Sequence, residues 1–130
     1  MKRSVFLAAA SALAMTAPAF AHHSSAMFDH TVERELIGVV KLFNWTNPHG
    51  YLQVTVTTSS GRTQDWSIEM QNPSSMARKG LSPSSFTPGD MVTVKIHPLR
   101  NGTTGGDFIS AILCDGSHIP NEAPDAADDE

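Results

Sequence analysis

Apolar and polar residues alternate through the middle of this chain in short runs, each broken by glycine, proline or asparagine. Leu52, Val54 and Val56 fall on one parity and Gln53, Thr55 and Thr57 on the other, the period of two expected of a strand with one buried face. Val92, Val94 and Ile96 repeat the pattern, as do Trp66, Ile68 and Met70, which places the Trp66 indole among inward-facing positions. The pattern predicts strands at about 35–45, 50–58, 63–70, 91–97 and 107–114. Gly38, inside the first of these, marks an expected bulge or sharp bend.

The connections carry their own signals. Ser59-Ser60-Gly61-Arg62 reads as a tight hairpin turn, and Pro88-Gly89-Asp90 as the turn that launches the fourth strand. Between the third and fourth strands lies one helical segment, with Asn72 as N-cap, Pro73 at the first helical position and Gly80 at the C-terminal stop. The order is therefore β-β-β-α-β-β. Five short strands with one helix after the third is the layout of the oligonucleotide/oligosaccharide-binding (OB) barrel, and an all-β OB-like barrel is the expected fold. A small β-sandwich is the alternative, because strand count alone does not establish closure.

The two ends differ from this middle. Lys2 and Arg3 precede an apolar, alanine-rich run from Val5 to Met15, and Ala19 and Ala21 form a small-x-small cleavage site. Residues 1–21 thus read as a Sec-type signal peptide, too short for a permanent span of about 20 apolar residues. No later segment replaces it, so no membrane insertion is expected, and the product is assigned to a bacterial periplasm or medium. Residues 22–34 form a histidine-bearing arm whose obvious anchors are Met27 and Phe28. Residues 35–120 form the barrel domain. Residues 121–130, with five acids and a proline, read as a disordered acidic tail.

Cleavage after Ala21 takes Lys2 and Arg3 away and moves the formal net charge from −4 to −6. That excludes nucleic acid as a partner, since a backbone-tracking surface needs clustered Lys and Arg. Cys114 is the single cysteine, so no intramolecular disulfide forms, and its apolar neighbours Ile112 and Leu113 predict a buried strand thiol. There is no nucleophile elbow, His-Glu-x-x-His or phosphate-binding glycine loop. Asp65 and Glu69, on one parity of a strand, lie about 13 Å apart, too far for an ordinary glycosidase pair. Nothing in the chain requires enzyme chemistry.

The histidines are the chemistry that remains. Cleavage after Ala21 would make His22 the mature terminus, so one residue offers an α-amine and an imidazole, and a further imidazole completes a nitrogen-rich site of the histidine-brace kind. Such a set suits copper(II), and imidazole is also a good zinc ligand. The amine and imidazole shed their protons near neutral pH, so binding weakens as pH falls. His23 is adjacent and could anchor a peptide-nitrogen mode. His49 sits in the turn Trp45-Thr46-Asn47-Pro48-His49, and His97 where the fourth strand meets the next loop; these two loops flank one face of an OB barrel. His30 could fold back from the arm. Trp45 and Tyr51 bracket the same turn and offer a stacking platform for a sugar or aromatic metabolite, with Asn47 of the turn as a further ligand-binding residue. The plain alternative is that His49 is a turn residue bonded to a backbone carbonyl and that the terminal histidines have no ligand.

With Ala21-His22-His23-Ser24, Met27-Phe28-Asp29, the strand around Gly38-Val39-Val40 and Trp45-Thr46-Asn47-Pro48-His49 in hand, the chain resembles a family of small exported bacterial proteins of uncharacterised function. Asp65-Trp66-Ser67-Ile68-Glu69, Arg78-Lys79-Gly80, Pro88-Gly89-Asp90 and Pro98-Leu99-Arg100-Asn101-Gly102 extend the likeness over nearly the whole mature domain. The resemblance implies a single β-rich exported domain and brings no activity. His30 and His97 stand outside its pattern, which ranks them below His22, His23 and His49 as metal ligands. The reading is a periplasmic metal-binding protein with copper as its expected ion. A metal-free binding module for a small molecule, saccharide or envelope protein is the alternative, and a copper oxidoreductase the remote third.

Overall fold

A computed structural model describes residues 25–119. Residues 1–21, read above as a signal peptide, His22, His23 and the acidic segment 121–130 lie outside the described residues. The strands are β1 (Arg34–Asn44), β2 (Tyr51–Thr57), β3 (Thr63–Glu69), β4 (Met91–Pro98), β5 (Gly105–Leu113) and β6 (His118–Ile119), with helix α1 (Pro73–Arg78) between β3 and β4. A short 3-10 turn, Ser25–Met27, precedes β1.

The meander β1-β2-β3 is antiparallel, β4 returns antiparallel to the other edge of β1, and β5 pairs antiparallel with β4. A parallel pairing of β5 with β3, from Ser67↔Gly105 to Glu69↔Asp107, closes the sheet. Closure removes the edges that a sandwich would leave, and the expected OB-like barrel is the architecture found. Strand β6 is an addition that the alternation does not reveal, a two-residue pairing with Ala111 and Ile112 of β5.

The period of two decides what faces inward. Leu52, Val54, Ile68, Val94 and Ile96 are fully buried, and Trp66 joins them at 4% exposure. The α1 segment covers one end of this core with Met76, beside Met70, Leu81 and Phe86. Its start is set by Asn72, whose side chain accepts from the Ser75 amide at 2.9 Å, and Gly80 at φ 85° follows the helix as its stop.

Two expectations are corrected. The irregularity of β1 falls between Val40 and Leu42, not at Gly38. Gly38 serves a close approach instead: a Cβ there would meet the Thr55 carbonyl oxygen and sit 2.7 Å from Val54 Cγ1. Cys114 is exposed, because β5 ends at Leu113 and the chain turns outward before β6.

The arm ahead of β1 is strapped across the barrel. Phe28 is 6% exposed and bridges Leu99. The Asp29 amide donates to Pro98 O at 2.8 Å and the Arg100 amide to Met27 O at 3.0 Å. The Arg100 side chain donates from Nε to Ala26 O at 3.0 Å and pairs with Asp29 at 3.8 Å. Of the two expected anchors, Phe28 is buried while Met27 stays exposed.

Candidate functional site

The β1–β2 loop is held against the end of β3 by main-chain bonds that extend the ladder past the strands. The Gly50 amide donates to Gln71 O at 3.0 Å and the Met70 amide to Gly50 O at 2.8 Å. Inside the loop, Thr46 Oγ1 donates to His49 O at 3.0 Å, and the Asn47–Pro48 peptide is cis. These contacts bring the His49 ring to Met70 and Glu69: Nδ1 is 3.2 Å from Met70 O and 3.4 Å from Glu69 Oε1. A carbonyl and a carboxylate only accept, so in the neutral ring Nδ1 carries the proton and Nε2 the lone pair.

Register carries the site further. Tyr51 pairs with Glu69, Glu69 with Asp107, and Asp107 with His97, one uninterrupted row across β2, β3, β5 and β4. Neighbouring positions Leu52, Ile68 and Ile96 point into the core, so this row belongs to the outer face. Burial pushes the Tyr51 hydroxyl pKa up, and the nearby Glu69 charge adds to it. Burial likewise raises the Asp107 carboxyl, against the opposing pull of His30, His97, His49 and Lys79. Of these imidazoles, His97 faces Asp107 across the β4–β5 pair and His49 lines a groove with it.

A groove of about 330 Å³ runs beside this row, lined by Ser25, Phe28, His49, Glu69, Asn72 and Asp107 among others. Its wall therefore combines the arm, the β1–β2 loop, the end of β3, the start of α1 and the start of β5. Among the described residues, no three His, Cys, Asp or Glu already converge as a metal-holding group.

The sequence-predicted residues are placed as follows. His49 lines the groove. His97 and His30 lie where the arm crosses β4, with ring centroids 4.8 Å apart. Tyr51 stands in the row beside Glu69, half-buried, and Asn47 is exposed in the loop. Trp45 is partly buried, packed edge-on at 6.0 Å from Phe43 and against the core. His118 lies apart on β6, exposed. The acids Asp65 and Glu69 serve separate places: Asp65 is bonded to Lys41 and Thr55, Glu69 to the groove. Sequence reasoning missed Asp107 altogether and did not bring Glu69 to the groove. Strand parity put Glu69 on the outer face, but nothing local marks the parallel β3–β5 pairing that sets Asp107 beside it.

Fold and site define a small OB-type barrel with an N-terminal strap and a histidine–carboxylate groove on its outer face. The chain belongs to a family of unknown function, DUF6152, which it matches over residues 10–108. That span includes His22, His23, His49, Glu69, His97 and Asp107 and ends inside β5. No curated protein and no solved structure matches the chain. Among the described residues, no helix is long and apolar enough to cross a membrane.

Proposed function

We propose that this protein is an exported transition-metal binder, with copper(II) as its ion, and that its role is metal storage, delivery or sensing. The ligands are the α-amine and imidazole of a processed His22 terminus and Nε2 of His49, with the His23 peptide nitrogen available beside them. The observation that carries the reading is His49. Its Nδ1 is tied to Met70 O and Glu69, the outer contact that orients a ligating imidazole, and its Nε2 keeps a lone pair.

Reach supports the pairing with His22. Ser25 lines the same groove as His49, and three residues of extended chain span at most about 10 Å. Glu69 and Asp107 add negative potential in the groove, which favours a cation and opposes an anionic ligand. Nitrogen donors in this number suit copper(II) and accept zinc.

Calorimetric titration of the mature protein with Cu(II), beside a form carrying one extra N-terminal residue, tests the reading. Affinity should fall at least tenfold on extension and again in His49→Ala. Unchanged affinity in the extended form removes the amino-terminal site. The groove's volume also admits a small molecule near the lower end of ordinary pockets, with Tyr51 paired to Glu69 of its lining. Metabolite or glycan binding that is insensitive to chelator would favour that metal-free module.

A further inference from the structure

The crossing of the arm over β4 holds a second arrangement that uses none of His22, His23 or His49. His30 Nε2 lies 3.1 Å from Ser25 O and His97 Nδ1 lies 2.9 Å from Val32 O. Each partner is a main-chain carbonyl, which only accepts. In the neutral rings, His30 therefore keeps its lone pair on Nδ1 and His97 keeps its own on Nε2. Both imidazoles have one nitrogen tied to the backbone and the other free to bind, the condition in which ligating histidines are oriented by outer contacts.

The spacing of the rings fits one ion. Their centroids are 4.8 Å apart with an interplanar angle of 69°. Two imidazoles bound at about 2.1 Å on one ion, at angles between square and tetrahedral, place their centroids about 4.5–5.2 Å apart. Phe28 backs the pair, its ring centroid 6.3 Å from that of His30.

A carboxylate stands by. Asp107 faces His97 in the β4–β5 register, and among the charged groups acting on it His30 comes first and His97 second. It is half-buried, and among the described residues it has no hydrogen bond or ion pair of its own side chain. The other nearby acid, Asp29, is already committed to Thr31 and Arg100.

We propose that His30 and His97 form a divalent-metal site, with Asp107 as the third donor, that staples the N-terminal arm to the barrel. Two imidazoles and a carboxylate with solvent in the remaining position is a donor set that zinc(II) accepts. No three donors already converge among the described residues, so the proposed site requires the Asp107 side chain to turn toward the histidine pair when the ion binds. Because His30 belongs to the arm and His97 to β4, the ion ties the two together, and it stabilises the docked arm by linkage.

The test uses the full chain carrying one extra N-terminal residue, so that an amino-terminal copper site is disabled and the two readings fail separately. Zn(II) is titrated by calorimetry, and amide hydrogen exchange is followed at Asp29 and Arg100, whose amides hold the arm. One zinc per chain is expected, with exchange at those amides slowed at least tenfold. Binding should be lost in His97→Gln and in His30→Gln and kept in His118→Gln. His30 is on the arm, outside the barrel core, so its variant folds even if the β4 variant does not. Absence of zinc binding by the extended chain, equal binding by a His30→Gln/His97→Gln double variant, or zinc bound without slower exchange overturns the staple. None of these outcomes bears on copper at His22 and His49.

Discussion

Truncating Phe28 to alanine should release the arm and leave the barrel standing. The side chain is 6% exposed, yet it is absent from the core cluster that fills the barrel, so its burial stabilises docking of residues 25–33 rather than the sheet. Full burial of a phenylalanine side chain contributes about 1.5–3 kcal/mol. At about 1.4 kcal/mol per factor of ten, its loss raises the open population of the arm by roughly 10- to 100-fold. Native-state hydrogen exchange reads this at the amides of Asp29, bonded to Pro98 O, and Arg100, bonded to Met27 O. Protection there should drop by that factor while Val54 and Ile68, in the barrel, keep theirs. Leu52→Ala is the contrast: Leu52 is fully buried in the core, and its loss should cost about 2–5 kcal/mol of global stability. If Phe28→Ala lowers the denaturation midpoint as far as Leu52→Ala, or leaves the arm amides protected, the separation of strap from barrel is wrong. A further consequence follows for copper. Affinity at a His22 terminus should fall as arm docking is lost, since only the docked fraction brings Ser25 to the groove.

Gly38→Ala should cost about 1–3 kcal/mol in urea denaturation, because its Cβ would press on the Thr55 carbonyl oxygen and Val54 across the β1–β2 pair; a change under about 0.5 kcal/mol would contradict this. Asn72→Ala should cost about 1 kcal/mol through the lost bond to the Ser75 amide, with Asn72→Asp close to the parent in the same titration. For Asp107, burial raises the folded pKa above the ordinary 3.8, so the folded state holds the proton more tightly than the unfolded state does. Its contribution to stability is present below pH 3.8 and lost as pH rises through the folded value. Asp107→Asn should therefore stabilise the metal-free protein near neutral pH and flatten its stability profile above pH 4; a variant less stable than the parent at pH 7 would reverse the sign.

The amino-acid order by itself determined most of what depends on near neighbours. Alternation at Leu52–Thr57 and Val92–Ile96 places strands and their buried faces because the side-chain period of a strand is two. Asn72, Pro73 and Gly80 bound the helix because capping and left-handed backbone are properties of single residues. The sequential layout β-β-β-α-β-β was legible too and agrees with the barrel found, but it left an open sandwich as an alternative. What only the tertiary structure decided are the meetings of residues distant in the chain. Glu69 and Asp107 become neighbours through the parallel β3–β5 pairing, and His30 reaches His97 because Phe28 finds a seat beside Leu99. Neither meeting has a periodic signature: closing a barrel and docking an arm are set by the summed burial of the whole core, not by the residues that happen to be brought together. Cys114 shows the same limit in reverse. Its apolar neighbours predicted burial, but β5 stops one residue earlier and the turn to β6 leaves the thiol exposed. Histidines in unusual number were visible from the start; Asp107, the carboxylate beside His97, acquired its place only when the sheet closed.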